Sequence, residues 1–519
     1  MERKWWTLIA VSIGVFMLLL DLTIVNVALP TIQRSFKASL SDLQWVIDAY
    51  ALALAALLLT TGSLADRFGR RIVFAAGIGI FTLGSVLCGI SNDVVFLCAA
   101  RALQGIGGAT MFSTALALIS DAFRGPDRGV AFGVFGATTG VSVAVGPVLG
   151  GLITSGLSWR WIFFVNVPLA AIALVITLTQ VAESRNPNAR RADWLGFVLF
   201  SVGLAALVFG LIRADALGWS ATVVIGSFAA FVVLITSFIL LERRLKHAML
   251  DLTLLRNPTF VGGLVAAFAV NASIFSLFTY LTLYQQNILG YSALNTGLHF
   301  LALTGALFLV AGVAGRLSSR MPVRLLIAPG FVLIGAGLLL MRGIDVSTGW
   351  THLIPGFALT GIGAGLVNTP LASTAVGVVE PARAGMASGI NSTFRQVGTA
   401  TGVAALGSLL ATQSRSVASA SLAHTPLAAH ANAFGAAISR GAVAGVITHV
   451  PAALRGQVEH IARAGYISGL NEIMLIAAIL AFAGSAFAFF LIRQKDFVAL
   501  AGAPSAAAEP PALQPVGAQ

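Results

Sequence analysis

Ten residues, Gly62–Arg71, place Asp66, Arg67, Arg70 and Arg71 between two long apolar runs, Leu43–Thr61 and Ile72–Gly89. Each run is about 20 residues, and at ~1.5 Å of rise per residue such a helix crosses the ~30 Å core of a bilayer. The turn between them is too charged for lipid, and its arginines assign it to the cytoplasmic side. A membrane hairpin with a known inside face therefore frames the rest of the chain.

The same alternation recurs along all 519 residues, which are 57% hydrophobic and only 10% charged, with mean hydropathy +0.92. Soluble domains carry roughly 25% charged residues, and these apolar runs show no amphipathic outer face. The expected class is an all-α membrane protein. Fourteen spans are expected, at roughly 7–29, 43–63, 72–90, 94–119, 130–154, 159–181, 193–213, 220–241, 259–287, 296–316, 323–341, 351–375, 385–411 and 470–492. The first is read as a retained helix, because its apolar stretch runs on past Asp21 to Pro30, too long for a signal peptide.

A net charge of +12 would suggest nucleic acid in a soluble protein. Its distribution gives topology instead. Arg3, Lys4, Arg67, Arg70, Arg71, Arg124, Arg128 and most later basic residues fall on one side, while the short outer loops hold Arg34, Lys37, Arg160, Arg213 and Arg342. That asymmetry puts both termini in the cytoplasm and excludes a nucleic-acid partner. Cys88 and Cys98 have neither zinc spacing nor a disulfide framework and read as small apolar fillers.

The spans divide 6+2+6: an N-terminal six-helix bundle over 1–181, a two-helix insert over 182–258 and a C-terminal six-helix bundle over 259–492. The charged segments Glu183–Asp193 and Glu242–Arg256 bracket the insert. An external loop is expected over 413–469, with short interfacial helices, and a disordered cytoplasmic tail over 493–519. Gly315–Arg324 repeats Gly62, Leu64, Arg67 and Arg71 of the opening turn at equal spacing, with Ser319 in place of the acid. Related halves are the sign of an alternating-access transporter.

No lysine follows a glycine, so no Walker A loop exists, and HExxH, GxSxG and CxxC patterns are missing. An enzyme is not expected, nor any metal or cofactor; uphill work must draw on an ion gradient or a partner protein. Ionisable residues within spans cost several kcal/mol unless paired or hydrated. Asp21, Asp48 and Arg101 lie at matching depths, roughly 13, 9 and 12 Å below the outer surface at 1.5 Å per residue. They read either as a static ion-pair network or as a proton-coupling site, with Asp21 the first carrier and Asp48 the second. Arg101, Gln104, Gly105 and Gly108 share one helix face, suited to lining a cavity. Gly136, Gly140 and Ala144, then Gly146, Pro147, Gly150 and Gly151, give span five a small-residue, kinked face that can act as pivot and seal. Asn26, Asn391 and Arg395 are further cavity-polar candidates; Arg395 either faces a central cavity or pairs with a carbonyl. Asn368 and His299 are isolated polar groups.

These segments resemble the fourteen-span drug:proton antiporter family of the major facilitator superfamily. The likeness is carried by Leu20–Pro30, Gly62–Arg71, Arg101–Gly105, Gly146–Gly151 and Trp159–Pro168, in order and across the whole membrane portion. The resemblance implies a major facilitator fold, a central substrate cavity and proton-coupled export of hydrophobic or cationic drugs across the cell membrane. It assigns Asp66, Arg67, Arg70 and Arg71 to a cytoplasmic gate and Arg101 to proton coupling. Asp66, preceding span three, is expected to favour that helix's N-terminus. Export of an endogenous metabolite on the same fold stays open, as does service in a tripartite assembly with an outer adaptor protein, met at loop 413–469.

Overall fold

The computed structural model describes residues 2–123, 126–185, 193–245, 250, 252–318, 321–379, 384–423, 425–431, 433–435 and 451–497. Every regular element among them is helical. The first nine helices are α1 (Arg3–Phe36), α2 (Leu40–Phe68), α3 (Arg70–Gly89), α4 (Val94–Ala122), α5 (Pro126–Gly156), α6 (Trp161–Phe164), α7 (Asn166–Gln180), α8 (Trp194–Leu217) and α9 (Thr222–Glu242). The rest are α10 (Pro258–Val270), α11 (Ser276–Leu283), α12 (Ala293–His299), α13 (Leu301–Ser318), α14 (Arg324–Leu340), α15 (Ile354–Gly377), α16 (Ala384–Leu422) and α17 (Arg455–Leu491). In hydrocarbon a lone segment can bond its own backbone only as a helix. Polar caps mark where the segments end. Ser39 and Asp42 cap α2 reciprocally (Ser39 N to Asp42 Oδ2 2.8 Å, Asp42 N to Ser39 Oγ 3.2 Å). Asp93, Asp193 and Asn257 accept from first-turn N–H groups of α4, α8 and α10.

Twelve segments among the described residues are long and apolar enough to cross a membrane, with α6–α7, α10–α11 and α12–α13 each counted as one. The sequence reading gives fourteen. The other two positions also hold helices: α14, apolar but only 17 residues, and α16, whose Gly, Ser and Thr content and two arginines dilute its hydropathy. The ninth segment is interrupted by wide i→i+5 turns at Asn271–Phe275 and Tyr284–Ile288, a feature common near functional sites.

The end of the molecule where α1 begins is called here the near end, and the opposite one the far end. At the far end the helices up to Gln180 meet those after Pro258 through a row of polar bonds. Thr279 Oγ1 donates to Asn26 Oδ1 (2.8 Å), Gln286 Nε2 to the Val27 carbonyl (2.8 Å) and Asn287 Nδ2 to Gln33 Oε1 (2.9 Å). Leu294 N donates to Ser155 Oγ (3.1 Å), and Gln44 Nε2 reaches Tyr280 OH (3.3 Å) and the Val403 carbonyl (3.4 Å). Helix α8 lies against α2 and α16, sharing an apolar cluster of Ala51, Val208, Ile212, Ala400 and Ala404.

The segment Gln413–Gly469, read from sequence as a loop, is helical at both of its described ends. With 39 and 37 residues, α16 and α17 run to roughly 58 and 55 Å at 1.5 Å per residue, well beyond a bilayer core. Their projecting turns pack around Ala418, Leu422, Ala431, Val458, Ile461 and Ala462. Small residues permit this: Gly465 and Gly469 sit against the Ser414 and Leu410 carbonyls. Polar composition hid the helices because they pair with each other, not with lipid. In the far-end turn after α14, hydrogen bonds from Ser347 and Thr348 hold the Asp345 carboxyl below its ordinary range. That support is present at neutral pH and is lost as pH falls through the lowered value. The stretch 436–450 and residues 498–519 lie outside the described residues, as do Ser319 and Arg320 of the second-half turn. The first residues of the tail expected to be disordered over 493–519 instead form a turn at Gln494–Asp496, where Asp496 Oδ2 accepts from Thr259 Oγ1 (2.6 Å).

Candidate functional site

Of the three ionisable groups expected at matching depth, Asp21 and Arg101 come together and Asp48 does not join them. Asp21 on α1 is 0% exposed and Arg101 on α4 is 2% exposed; Arg101 Nη1 is ion-paired with Asp21 Oδ2. Arg101 Nη1 also donates to Gln104 Oε1 (2.7 Å), and its Nε to the Val46 carbonyl (3.1 Å). Gln104 Nε2 donates to Asp21 Oδ1 (2.8 Å) and to Ser85 Oγ (2.8 Å), which Asn166 Nδ2 approaches at 3.2 Å. The guanidinium lies 4.3 Å from the Tyr50 ring centroid, a cation–π contact. One network thus ties α1, α2, α3, α4 and α7, and Asp21 has both oxygens engaged. Ser85, Asn166 and Tyr50 were not singled out from sequence, although Asn166 falls within the Trp159–Pro168 segment.

Asp48 on α2 is 0% exposed, and among the described residues neither carboxylate oxygen has a hydrogen-bond partner. Gln44, Asp48 and Ala51 fall at i, i+4 and i+7, one helix face. Gln44 bonds Tyr280 and the Val403 carbonyl, and Ala51 packs on Ala400 and Ala404. Asp48 therefore sits on the seam between the N-terminal and C-terminal helices, whereas Asp21 is interior to the former.

The Gly105–Gly108 face of α4, expected to line a cavity, is buried against α2 instead. A Cβ on Gly105 would lie 3.0 Å from Ala53 Cβ, and one on Gly108 3.1 Å from Tyr50 OH. Small residues serve there to bring α4 close enough for Arg101 to reach Val46. In α5, Gly146 and Gly150 press on Thr23 and Ile24 of α1. Gly151 meets Ala293 and Leu294, and the Pro147 carbonyl meets Gly297 of α12. The Gly146–Gly151 segment thus touches both groups of helices at the far end, while Gly136, nearer the start of α5, has nothing within 4 Å of its Cβ position.

In the charged turn, the side chain of Asp66 lies outside the described residues. Another acid takes the helix N-terminus expected for it: Glu183 Oε1 accepts from Arg71 N (3.1 Å) and Oε2 from Ile72 N (3.3 Å), with Arg71 Nε at 3.8 Å. Gly69 makes room; its φ is +112°, and a Cβ there would lie 2.6 Å from the Glu183 carboxyl carbon. Arg70 pairs with Asp121 at the end of α4, and its N–H donates to the Ser184 carbonyl (3.0 Å). Arg67 is exposed, 5.4 Å from the Phe68 ring. Glu183→Gln should cost about 1–2 kcal/mol, since it removes charge from two backbone bonds and from the helix start. A melting midpoint of the purified protein lowered by a few degrees is the expected reading, and an unchanged midpoint with unchanged transport counts against this clamp.

Among the C-terminal helices, Arg395 on α16 reaches α15. Its Nε donates to Asn391 Oδ1 (3.2 Å) and its Nη1 to Asn368 Oδ1 (2.7 Å), with Nη2 3.5 Å from the Asn368 carbonyl. His299 bonds Gln285 (2.7 Å) and stacks on Trp350 at 3.7 Å between ring centroids. Among the described residues no three His, Cys, Asp or Glu side chains converge as a metal site would need.

Comparison with known proteins fits this architecture. The chain is 38% identical over 406 residues to the "Multidrug resistance protein Stp" of Mycobacterium tuberculosis, covering 78% of this chain and 75% of that one. It is 39% identical over 411 residues to the "Puromycin resistance protein pur8" of Streptomyces alboniger (78% and 81%). To the "Tetracenomycin C resistance and export protein" of Streptomyces glaucescens it is 34% identical over 492 residues (94% and 91%). In fold it is similar to a bacterial homolog of the human lysosomal transporter Spinster in an inward-facing, unoccupied conformation, with TM-score 0.61 and 17% identity over 96% of this chain and 98% of that one. The Major Facilitator Superfamily profile matches residues 11–403. With its helical segments, its buried ion pair and that match, this multi-pass membrane protein belongs to the major facilitator superfamily, a family of transporters.

Proposed function

We propose that this protein exports hydrophobic drug-like compounds across a bacterial cell membrane in exchange for protons, and that Asp48 carries the proton. The export reading is supported by relatives named for multidrug resistance, puromycin resistance and tetracenomycin C export at 34–39% identity. The coupling reading rests on one observation: Asp48 is fully buried on the seam with no hydrogen-bond partner among the described residues, while the Arg101 charge is already matched by Asp21. A carboxylate out of water costs several kcal/mol unless paired. The acid form is the one this site accommodates, and its proton can leave only when the seam opens or a countercharge arrives. Asp21 and Arg101 then brace the helices that carry Asp48.

The working arrangement we propose has fourteen spans in two six-helix bundles, about 1–181 and 259–492, with the two-helix insert between them. Both termini and the Gly62–Arg71 turn are cytoplasmic under the positive-inside rule. The far end is then external and closed, and a cycle must break its polar row and its α5–α12 contact while the near end closes. The α16–α17 projection is the surface an outer adaptor would meet.

Everted vesicles holding the protein test the reading. Adding puromycin or another substrate found by a growth panel in an efflux-deficient host should discharge an imposed proton gradient. Substrate accumulation at the same rate with no pH difference and no voltage overturns the coupling, and failure of every compound in the panel overturns export.

A further inference from the structure

We infer that Arg395 and Asn391 form a docking point for an anionic oxygen group, foremost a carboxylate, on the exported compound. This rests on the export reading and narrows its substrate class. Arginine stays ionised in proteins, yet among the described residues the three acceptors around Arg395 are neutral: Asn391 Oδ1, Asn368 Oδ1 and the Asn368 carbonyl. Arg101 shows what a matched guanidinium looks like in the same membrane, fixed on Asp21. Arg395 has amide dipoles in that place, and its Nη2 bond of 3.5 Å is at the limit of hydrogen bonding.

Beside it, Asn391 is 4% exposed, and its Nδ2 has no partner among the described residues although its Oδ1 is taken by Arg395. Of two neighbouring donor groups, one therefore has no acceptor and the other, charged, has only neutral ones. A planar carboxylate supplies two acceptor oxygens to a guanidinium edge and cancels its charge. The place is reachable, because Arg395 and Asn368 are half-buried rather than sealed. Polar groups continue one turn further along α16, where Thr399 Oγ1 lies 3.5 Å from Asn271 Oδ1 at the wide turn of the ninth segment. An amphiphile bearing an acid finds a countercharge here.

The test uses full-length protein in detergent and a matched dye pair, rhodamine B with its free carboxylate and its ethyl ester without one. The wild type should bind the acid about tenfold more tightly than the ester, the ratio expected for one charge-assisted bond. Arg395→Gln should bring the two affinities together by weakening the acid alone. Arg395→Lys, which keeps the charge and the fold but not the fork, should retain part of the preference. Equal affinities in the wild type, equal loss of both dyes in the variants, or a preference untouched by Arg395→Gln each overturn the inference. Displacement of the acid by phosphatidylglycerol but not by excess ester overturns it too, assigning the donors to a lipid headgroup. Binding in detergent needs no gradient, so its failure is separate from failure of the export reading, which the vesicles decide.

Discussion

Asp48→Asn should abolish proton-coupled export while leaving the protein as stable as the wild type. The two side chains are nearly isosteric, and among the described residues the native carboxyl has no hydrogen-bond partner to lose, so stability should stay within the ~0.5 kcal/mol typical of neutral changes and the melting midpoint should not fall. Asp21→Asn should behave in the opposite way. It removes the charge opposite a fully buried Arg101 that also holds Gln104 and the Val46 carbonyl, and breaking a buried pair on one side costs roughly 3–5 kcal/mol. A lower midpoint and poor yield are expected, with coupling preserved in whatever protein folds. Both variants would be read in everted vesicles by substrate-induced discharge of a proton gradient, alongside a thermal melt. A stable, uncoupled Asp21→Asn together with a fully coupled Asp48→Asn reverses the assignment.

The difference between those two aspartates shows what sequence spacing can and cannot give. Depth is legible, because a residue's place in an apolar run fixes its height at 1.5 Å per step. Height alone grouped Asp21, Asp48 and Arg101. Azimuth is a matter of packing: Arg101 reaches α2 at the Val46 carbonyl, while Asp48 two residues on points along the face shared with Gln44 and Ala51, toward α16. The charged turn behaves similarly. Its position between two spans was plain, but Glu183 becomes the cap of α3 only because the end of α7 falls beside it. The sole hint was Gly69, a residue able to hold φ +112° next to a bulky acid. Hydropathy located the membrane helices but not the reach of α16 and α17, whose far turns are Ala- and Ser-rich because they bury one another. Arg395, read from sequence as facing a cavity or pairing with a carbonyl, contacts the side-chain amides of Asn391 and Asn368 as well as the Asn368 carbonyl, partners on two helices that spacing alone does not bring together.

Gly297→Leu should stop transport by holding the far end open. Gly297 on α12 rests directly on the Pro147 carbonyl of α5, with the Val148 Cα 3.3 Å from its Cβ position; one turn along α5, a Cβ on Gly151 would lie 2.6 Å from the Ala293 carbonyl oxygen. Backbone meets backbone at both points, so no flexible side chain can yield to a leucine. Overpacking of this kind costs about 1–3 kcal/mol or more. If the α5–α12 contact exists only while the far end is closed, the whole cost falls on that state, and 1–3 kcal/mol shifts a two-state balance by roughly 5–150-fold. The reporter is Thr304→Cys, in a variant with Cys88 and Cys98 replaced. Thr304 is buried, with its Oγ1 3.5 Å from the Ala144 carbonyl across the seam. A membrane-impermeant maleimide added from the far side should label that cysteine faster by the same factor in Gly297→Leu. Gly136→Leu is the control, because among the described residues nothing lies within 4 Å of a Cβ placed there, and both its transport and its labelling should match the parent. Lost transport without faster labelling shows that the contact between α5 and α12 stays shut throughout the cycle, and the moving seal must then be sought in the polar row of Asn26, Gln44 and Gln286.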